Sequence, residues 1–349
     1  MRFVLRSCVL FCVLSSLATA QNTLSGNTSD QIAIGQEVPR EVREIYRNGL
    51  GFLKRTQDDR GTWPAGEAAG PGTTSLALLA FLASGEDPNH GPYRETIRKA
   101  IRHIIGSQNE KTGYMGPSMY HHGFALLALS EAYGMVDETD LFTDRPANAR
   151  TLGQAVELAV RSALTSQKRN RARAWRYSPG ASDADTSVSG AVLMGLLAAR
   201  NAGIEVPDDA INSAIEYFVA MTADDGTVGY TTASQGGLES IARSGIANLV
   251  MAIARRKDLP AYQVTAKYLI DHQGDDPGWP EYARYYQAQA LFQWDLEIWN
   301  RWNEDLIRSL KNQQKDDGSF EGELGVTNST SMSLLALGVN FRFLPIYER

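Results

Sequence analysis

Two acids in Asp183-Ala184-Asp185-Thr186 stand immediately before a long run of small and apolar residues, "SVSGAVLMGLLAARNAG". A carboxyl group at the mouth of a buried helix can be kept protonated and pass its proton to a substrate. The same group can cap the helix by accepting hydrogen bonds from its free N–H groups. The stretch fits both readings. On the chemical one, Asp185 is the acid, and Asp183 or His122 assists it. His122 lies in "MYHHGF", Met119 to Phe124, beside Tyr120 and His121. Adjacent histidines point about 100° apart on a helix, so they make a poor chelating pair. One of them can still face a cavity as a base or hydrogen-bond donor.

The most aromatic stretch, "WPEYARYYQAQALFQW" (Trp279 to Trp294), contains Tyr282, Tyr285, Tyr286 and Gln289. Several of these are three or four residues apart and so can line one side of a cavity. Aromatic walls suit an isoprenoid, a developing carbocation or the apolar face of a sugar. Trp175 joins Tyr120, His121 and these residues as a ligand-binding candidate, with core packing as the competing reading for all of them. Glu239 and Arg243, at i and i+4, are expected to pair with each other. No phosphate-cradling glycine loop, nucleophile elbow or metal-protease helix is present in the sequence.

The N-terminus differs in character from the rest of the chain. "MRFVLRSCVLFCVLSSLATA" has Arg2 and Arg6, an apolar run from Cys8 to Leu17, and a small-x-small ending at Ala18-Thr19-Ala20. This is the pattern of a cleaved signal peptide over residues 1–20. The run falls short of the ~20 residues that span a bilayer, so an exported protein, periplasmic or secreted, without an integral membrane segment is expected. Residues 21–40 read as a loose polar arm. Cys8 and Cys12, the two cysteines, both lie in the leader. The mature chain therefore excludes disulfides, a cysteine nucleophile and thiolate metal sites. Basic residues number 34 against 40 acidic ones, for a net charge of -6, and they are scattered. No nucleic-acid partner is expected.

The elements that position these residues repeat six times. The turns read "TQDDRGTWP", "SQNEKTGYMGP", "SQKRNRARAWRYSP", "TADDGTVGY", "HQGDDPGWP" and "NQQKDDGSFEGE". Each follows a helix with apolar residues at helical spacing, as at Ile45, Leu50 and Leu53. Each precedes a run that is apolar all round, as in "TTSLALLAFLASG" or "STSMSLLALG". An amphipathic helix has a wet face and a uniformly apolar one is buried, so each unit supplies an outer and an inner helix. An open array needs a polar terminal cap, and the last unit runs instead into apolar "FRFLPIYER". A closed ring is therefore expected: an all-α toroid of six inner and six outer helices over residues 41–349. The aromatic of each turn is expected to pack back over the outer helix end. The preceding Gln is expected to bond either to the freed carbonyls there or to amides of the next helix.

The Gln–polar turn–Gly–aromatic element resembles the "QW" repeat of the squalene cyclase and protein prenyltransferase (terpenoid cyclase) superfamily, from roughly Val42 to the C-terminus. The resemblance implies an α/α toroid with a central cavity. Class II cyclases of that superfamily carry Asp-x-Asp-Asp, whose middle Asp protonates an isoprenoid double bond. The line-up makes Asp185 the matching donor, with Thr186 in place of the third acid, and that departure counts against alkene protonation. The cyclases also build their site between two helical domains, and this chain has length for one. The prenyltransferases hold zinc with Asp, Cys and His, which a mature chain without Cys does not match; no metal and no cofactor are expected. The expected function is binding of an apolar or isoprenoid-like small molecule in the cavity. A cyclase-like enzyme with Asp185 as donor, and a non-catalytic protein-interaction scaffold, are the alternatives.

Overall fold

A computed structural model describes residues 38–64, 70–142, 150–234, 240–274 and 279–348. The leader, the arm up to residue 37, and Glu239 lie outside the described residues. Among the described residues there are twelve α-helices and one isolated β-bridge, Thr222 to Val228. No described helix is long and apolar enough to cross a membrane.

The helices alternate in character along the chain. Helices α1 (Arg40–Thr56), α3 (Arg94–Gly106), α5 (Leu152–Arg169), α7 (Asp208–Met221), α9 (Pro260–Asp271) and α11 (Leu296–Gln313) are the outer set. Helices α2 (Pro71–Ala83), α4 (Met119–Ala132), α6 (Thr186–Asn201), α8 (Ser240–Ile253), α10 (Pro280–Trp294) and α12 (Val326–Gly338) are the inner set. In α1 the buried residues Val42, Ile45, Tyr46, Gly49, Leu50 and Leu53 follow a period near 3.6 and leave a charged face in water. In α2, "PGTTSLALLAFLA", every residue is buried.

The inner helices close into a ring: each packs on the next, and α12 packs on α2. Each outer helix sits over the seam between its own inner helix and the preceding one, α1 lying on both α12 and α2. Small residues let the inner helices touch through their backbones. A Cβ on Gly123 would sit 2.6 Å from the Ala191 carbonyl carbon, so α4 and α6 meet there without side chains between them.

Four of the five turn glutamines lock neighbouring units; Gln273 Nε2, in the fifth turn, has no such partner. Gln57 Nε2 donates to Gly61 O (3.2 Å) and to Thr96 O of α3 (2.9 Å). Gln108 does the same to Gly113 O (3.0 Å) and Ala155 O of α5 (2.8 Å), and Gln167 to Arg173 O (2.9 Å) and Ala210 O of α7 (2.8 Å). Gln314 repeats the pattern across the closure, to Gly318 O (3.0 Å) and Ile45 O of α1 (2.9 Å). The partners are carbonyls, not the amides of the next helix, because a primary amide has two N–H donors to share. Trp63, Trp175 and Phe320 pack back as expected, with Trp63 Nε1 donating to Leu53 O at 2.7 Å and Trp175 Nε1 to Ala163 O at 2.9 Å, whereas Trp279 of the fifth turn stays exposed.

Two ends result. Loops tie the N-termini of neighbouring inner helices together at the first: Met119 N donates to Tyr177 O, Thr186 N to Tyr230 O, and Thr327 Oγ1 to Pro64 O. At the second, the chain after α12 tucks under the ring. Phe341, Leu344, Ile346 and Tyr347 are buried there, Ile346 N donates to Glu131 Oε2 at the end of α4, and Gln293 Nε2 of α10 donates to Glu348 O.

Candidate functional site

Asp185 is the N-cap of α6, and its Oδ1 accepts from Val188 N at 2.8 Å. It is fully buried, and its other oxygen, Oδ2, has no hydrogen-bond partner. The nearest cation is Arg176, whose Nε lies 3.5 Å from Oδ2. Arg176 Nη1 holds Asp183 at 2.6 Å, so one guanidinium joins the two acids. Asp183 is exposed and Asp185 is not, which divides the pair into a surface ion pair and a dry acid. Burial pushes the Asp185 carboxyl up to about 6, against the pull of the Val188 N–H and the Arg176 charge.

Tyrosines surround this acid. Tyr217, from α7, has a buried hydroxyl without a partner and is held far above its ordinary value by burial, with the Asp185 charge adding to the effect. Tyr230, the aromatic of the fourth turn, shares a 2.9 Å hydrogen bond with the exposed Tyr177, and Arg176 lies over the Tyr230 ring at 5.8 Å. Tyr282, on α10, is pushed up to about 12 by burial and also feels Asp185. The sequence reading missed Arg176, Tyr217, Tyr230 and Tyr177. Tyr230, Arg176 and Tyr177 lie in repeat turns and Tyr217 on α7, three segments that the ring alone brings together.

The aromatic candidates face one another across the ring. Tyr120 of α4 lies 6.4 Å from Tyr282 of α10, and Phe124 lies 6.4 Å from Tyr285. Tyr282 packs edge-on against Tyr286, and Tyr286 against Tyr285. At this level side chains occupy the axis, where a deep central cavity was expected. Above the aromatics, at the mouth, a hollow of about 110 Å³ is lined by Leu76, Tyr120, His121, Phe124, Asn328 and Met332, among others.

The remaining candidates have structural partners. His121 Nδ1 accepts from Gly72 N at 3.2 Å, and the ring borders the hollow. His122 turns outward: Nδ1 accepts from Met115 N at 3.1 Å, so Nε2 carries the proton and donates to Ala159 O at 3.1 Å. Burial lowers its pKa to about 4, which keeps it neutral. Trp175 is buried in its turn, with its backbone N and O both bonded to Ser189 Oγ. Gln289 Nε2 donates to Tyr285 O within α10. No cluster of three or more His, Cys, Asp or Glu suited to a metal occurs among the described residues.

Solved structures resemble this chain in fold. The type II terpene cyclase MstE from Scytonema aligns over 87% of this chain and 99% of its own, at 15% identity and a TM-score of 0.58. An α-1,6-mannanase of Salegentibacter, determined with α-1,6-mannotetrose, aligns over 86% of this chain and 99% of its own, at 11% identity and a TM-score of 0.61. Protein geranylgeranyltransferase-I of Candida albicans, determined with GGPP, aligns over 84% of this chain and 90% of its own, at 11% identity and a TM-score of 0.52. All are similar to this chain as α/α toroids, and at such identities the likeness concerns the fold alone. No curated protein sequence matches it. A family model, the domain of unknown function DUF6288, matches residues 42–273, well over half of the sequence, and the chain belongs to that family.

Proposed function

We propose that the protein binds a small amphipathic molecule at the mouth of the toroid, and that Asp185 does acid–base chemistry on the polar end of that molecule. The carrying observation is the buried Oδ2 of Asp185, which has no hydrogen bond and only a 3.5 Å ion-pair contact with Arg176, at the same end of the ring as an apolar hollow lined by Tyr120, the neighbour of Tyr282. Buried polar atoms are nearly always hydrogen-bonded, so an orphan at a mouth points to a ligand.

Acid strength decides between the two chemistries the fold hosts. A carboxyl with a pKa of about 6 is roughly one-tenth protonated at pH 7, which suits general-acid transfer to an oxygen. Protonating an isolated alkene demands a stronger acid, whereas burial has made this one weaker. Thr186 in place of a third carboxylate points the same way. Size sets a second limit. An engineered cavity of about 150 Å³ holds benzene, so the hollow of about 110 Å³ takes a short branched apolar end and not a whole prenyl chain. We also propose that the protein works after export, through the leader at residues 1–20.

The test expresses the chain from Met1 in an exporting host, reads the N-terminus of the exported protein, and analyses its solvent extract by native and denaturing mass spectrometry. A chain starting at Gln21 with one stoichiometric amphiphile is expected. A protein that is empty and takes up no isoprenoid alcohol, acyl ester or alkyl glycoside would overturn the binding reading. The axis filled by Tyr120, Tyr282, Phe124 and Tyr285 would then favour the scaffold reading.

A further inference from the structure

The second and third turns enclose a groove of about 520 Å³ against the outer helix α5, among the volumes of about 300–1,000 Å³ usual for ligand sites. It lies outside the ring of inner helices and apart from Asp185. One wall is α5, which presents Arg161, Ser162, Ser166 and Arg169; the facing wall is the second turn, with Lys111 and Tyr114; residues 179–180 border it further.

Its chemistry is one-sided. No acid is among the described residues that line it, in a chain whose net charge is -6. Among the described residues Lys111 and Arg169 have no ion-pair partner, and Arg161 reaches only Glu157, one turn back on the same helix, at 3.9 Å. Ser162 and Ser166 are 8% and 4% exposed and line the groove, and neither hydroxyl has a hydrogen-bond partner among the described residues. Two hydroxyls that open to the groove without a described protein partner, under three cations, are free to bond an outside ligand. Arg161 and Arg169 are eight residues apart, which on a helix is about 12 Å. A single phosphate or sulfate does not bridge that span; a chain with anionic groups spaced along it does. The Tyr114 ring supplies an apolar face, and the serine hydroxyls match hydroxyl-rich ligands.

We propose that this groove binds an anionic oligosaccharide, a sugar chain bearing carboxylate or sulfate groups. The guanidinium forks of Arg161 and Arg169 hold the anionic groups, Lys111 adds a third charge, and Ser162 and Ser166 take sugar hydroxyls.

Calorimetry on the full-length exported protein tests this with four probes: an oligogalacturonate, a sulfated glucan oligosaccharide, a neutral glucan oligosaccharide of equal length, and a short single-stranded DNA. Saturable binding of the oligogalacturonate or the sulfated glucan is expected, and which one binds identifies the anionic group. Affinity should fall with salt, drop at least tenfold in the Lys111→Gln, Arg169→Gln double variant, drop several-fold in Ser166→Ala, and stay unchanged in Asp185→Asn. Lys111 and Arg169 lie at the rim, and an unaltered melting temperature shows that their double variant folds; Ser166→Ala and Asp185→Asn are checked for cooperative unfolding. The proposal fails if neither anionic sugar binds below millimolar concentration, if the double variant binds as the parent does, or if the neutral sugar or DNA binds more tightly than both.

Discussion

At Asp185 the two carboxylate oxygens have different surroundings: Oδ1 closes the α6 N-terminus on Val188 N, and Oδ2 has no hydrogen bond, only an ion-pair contact of 3.5 Å with Arg176 Nε. Two substitutions separate these roles. Asp185→Ala removes the cap and should cost about 0.5–2 kcal/mol. Asp185→Asn keeps an oxygen for Val188 N and should cost less. The sign of the pH dependence is fixed by the raised pKa. The folded carboxyl holds its proton to about 6 against an ordinary 3.8, so the parent is most stabilised by this group below pH 3.8 and loses that contribution as pH rises through 6. Thermal unfolding from pH 3 to 8 should show this decline in the parent and not in Asp185→Asn. Parallel curves would mean that the folded carboxyl titrates at its ordinary 3.8, and its role as a proton donor would fall. The sequence showed an acid before a helix, a pattern that fits capping as well as acid chemistry. Whether the second oxygen is left without a hydrogen bond depends on Arg176, Tyr217 and Tyr282, which sequence spacing does not relate.

The repeat turn is the element that builds the ring, and it was mostly legible. Gln recurs in five of the six turns, glycine in five and an aromatic in all six. Gly318 sits at φ 88, and a Cβ there would come within 2.2 Å of Asn48 O; Gly113 meets Leu158 O in the same way. Close approach and left-handed backbone both demand glycine. The third turn departs from this, with Arg173 at φ 56 where its neighbours carry glycine. The partner of each Gln was less legible, because the carbonyls it serves lie some 40 residues onward on an adjacent outer helix. At the closure the same bond spans the whole chain, from Gln314 to Ile45. Gln314→Ala strips both Gly318 O and Ile45 O of a donor and should cost about 1–3 kcal/mol. Urea unfolding should show a lower midpoint with an unchanged slope. A midpoint equal to the parent's would mean that water replaces the amide and that the staple contributes nothing at the seam.

Closure of the whole molecule was legible in the missing polar cap, but the destination of the last residues was not. The apolar segment that a solenoid would have to hide instead lies beneath the inner helices, with Ile346 N on Glu131 and Glu348 O on Gln293. Glu131 is 2% exposed at the end of α4. Burial raises its pKa to about 8, with the Glu348 charge adding to the effect and the Ile346 N–H opposing it, and Tyr285 and Tyr347 also face it. A neutral carboxyl therefore packs against the C-terminal segment, and ionising it places an uncompensated charge inside. The folded pKa is raised above the ordinary 4.5, so this contribution is complete below pH 4.5 and is lost as pH climbs to about 8. Each unit of that interval is worth about 1.4 kcal/mol at most. Glu131→Gln keeps the shape and the acceptor for Ile346 N without the proton. It should melt like the parent at pH 5 and at a higher temperature than the parent at pH 8.5. A variant no more stable than the parent at pH 8.5 would mean that Glu131 is already charged and solvated there, and that the C-terminal segment does not seal this end of the ring.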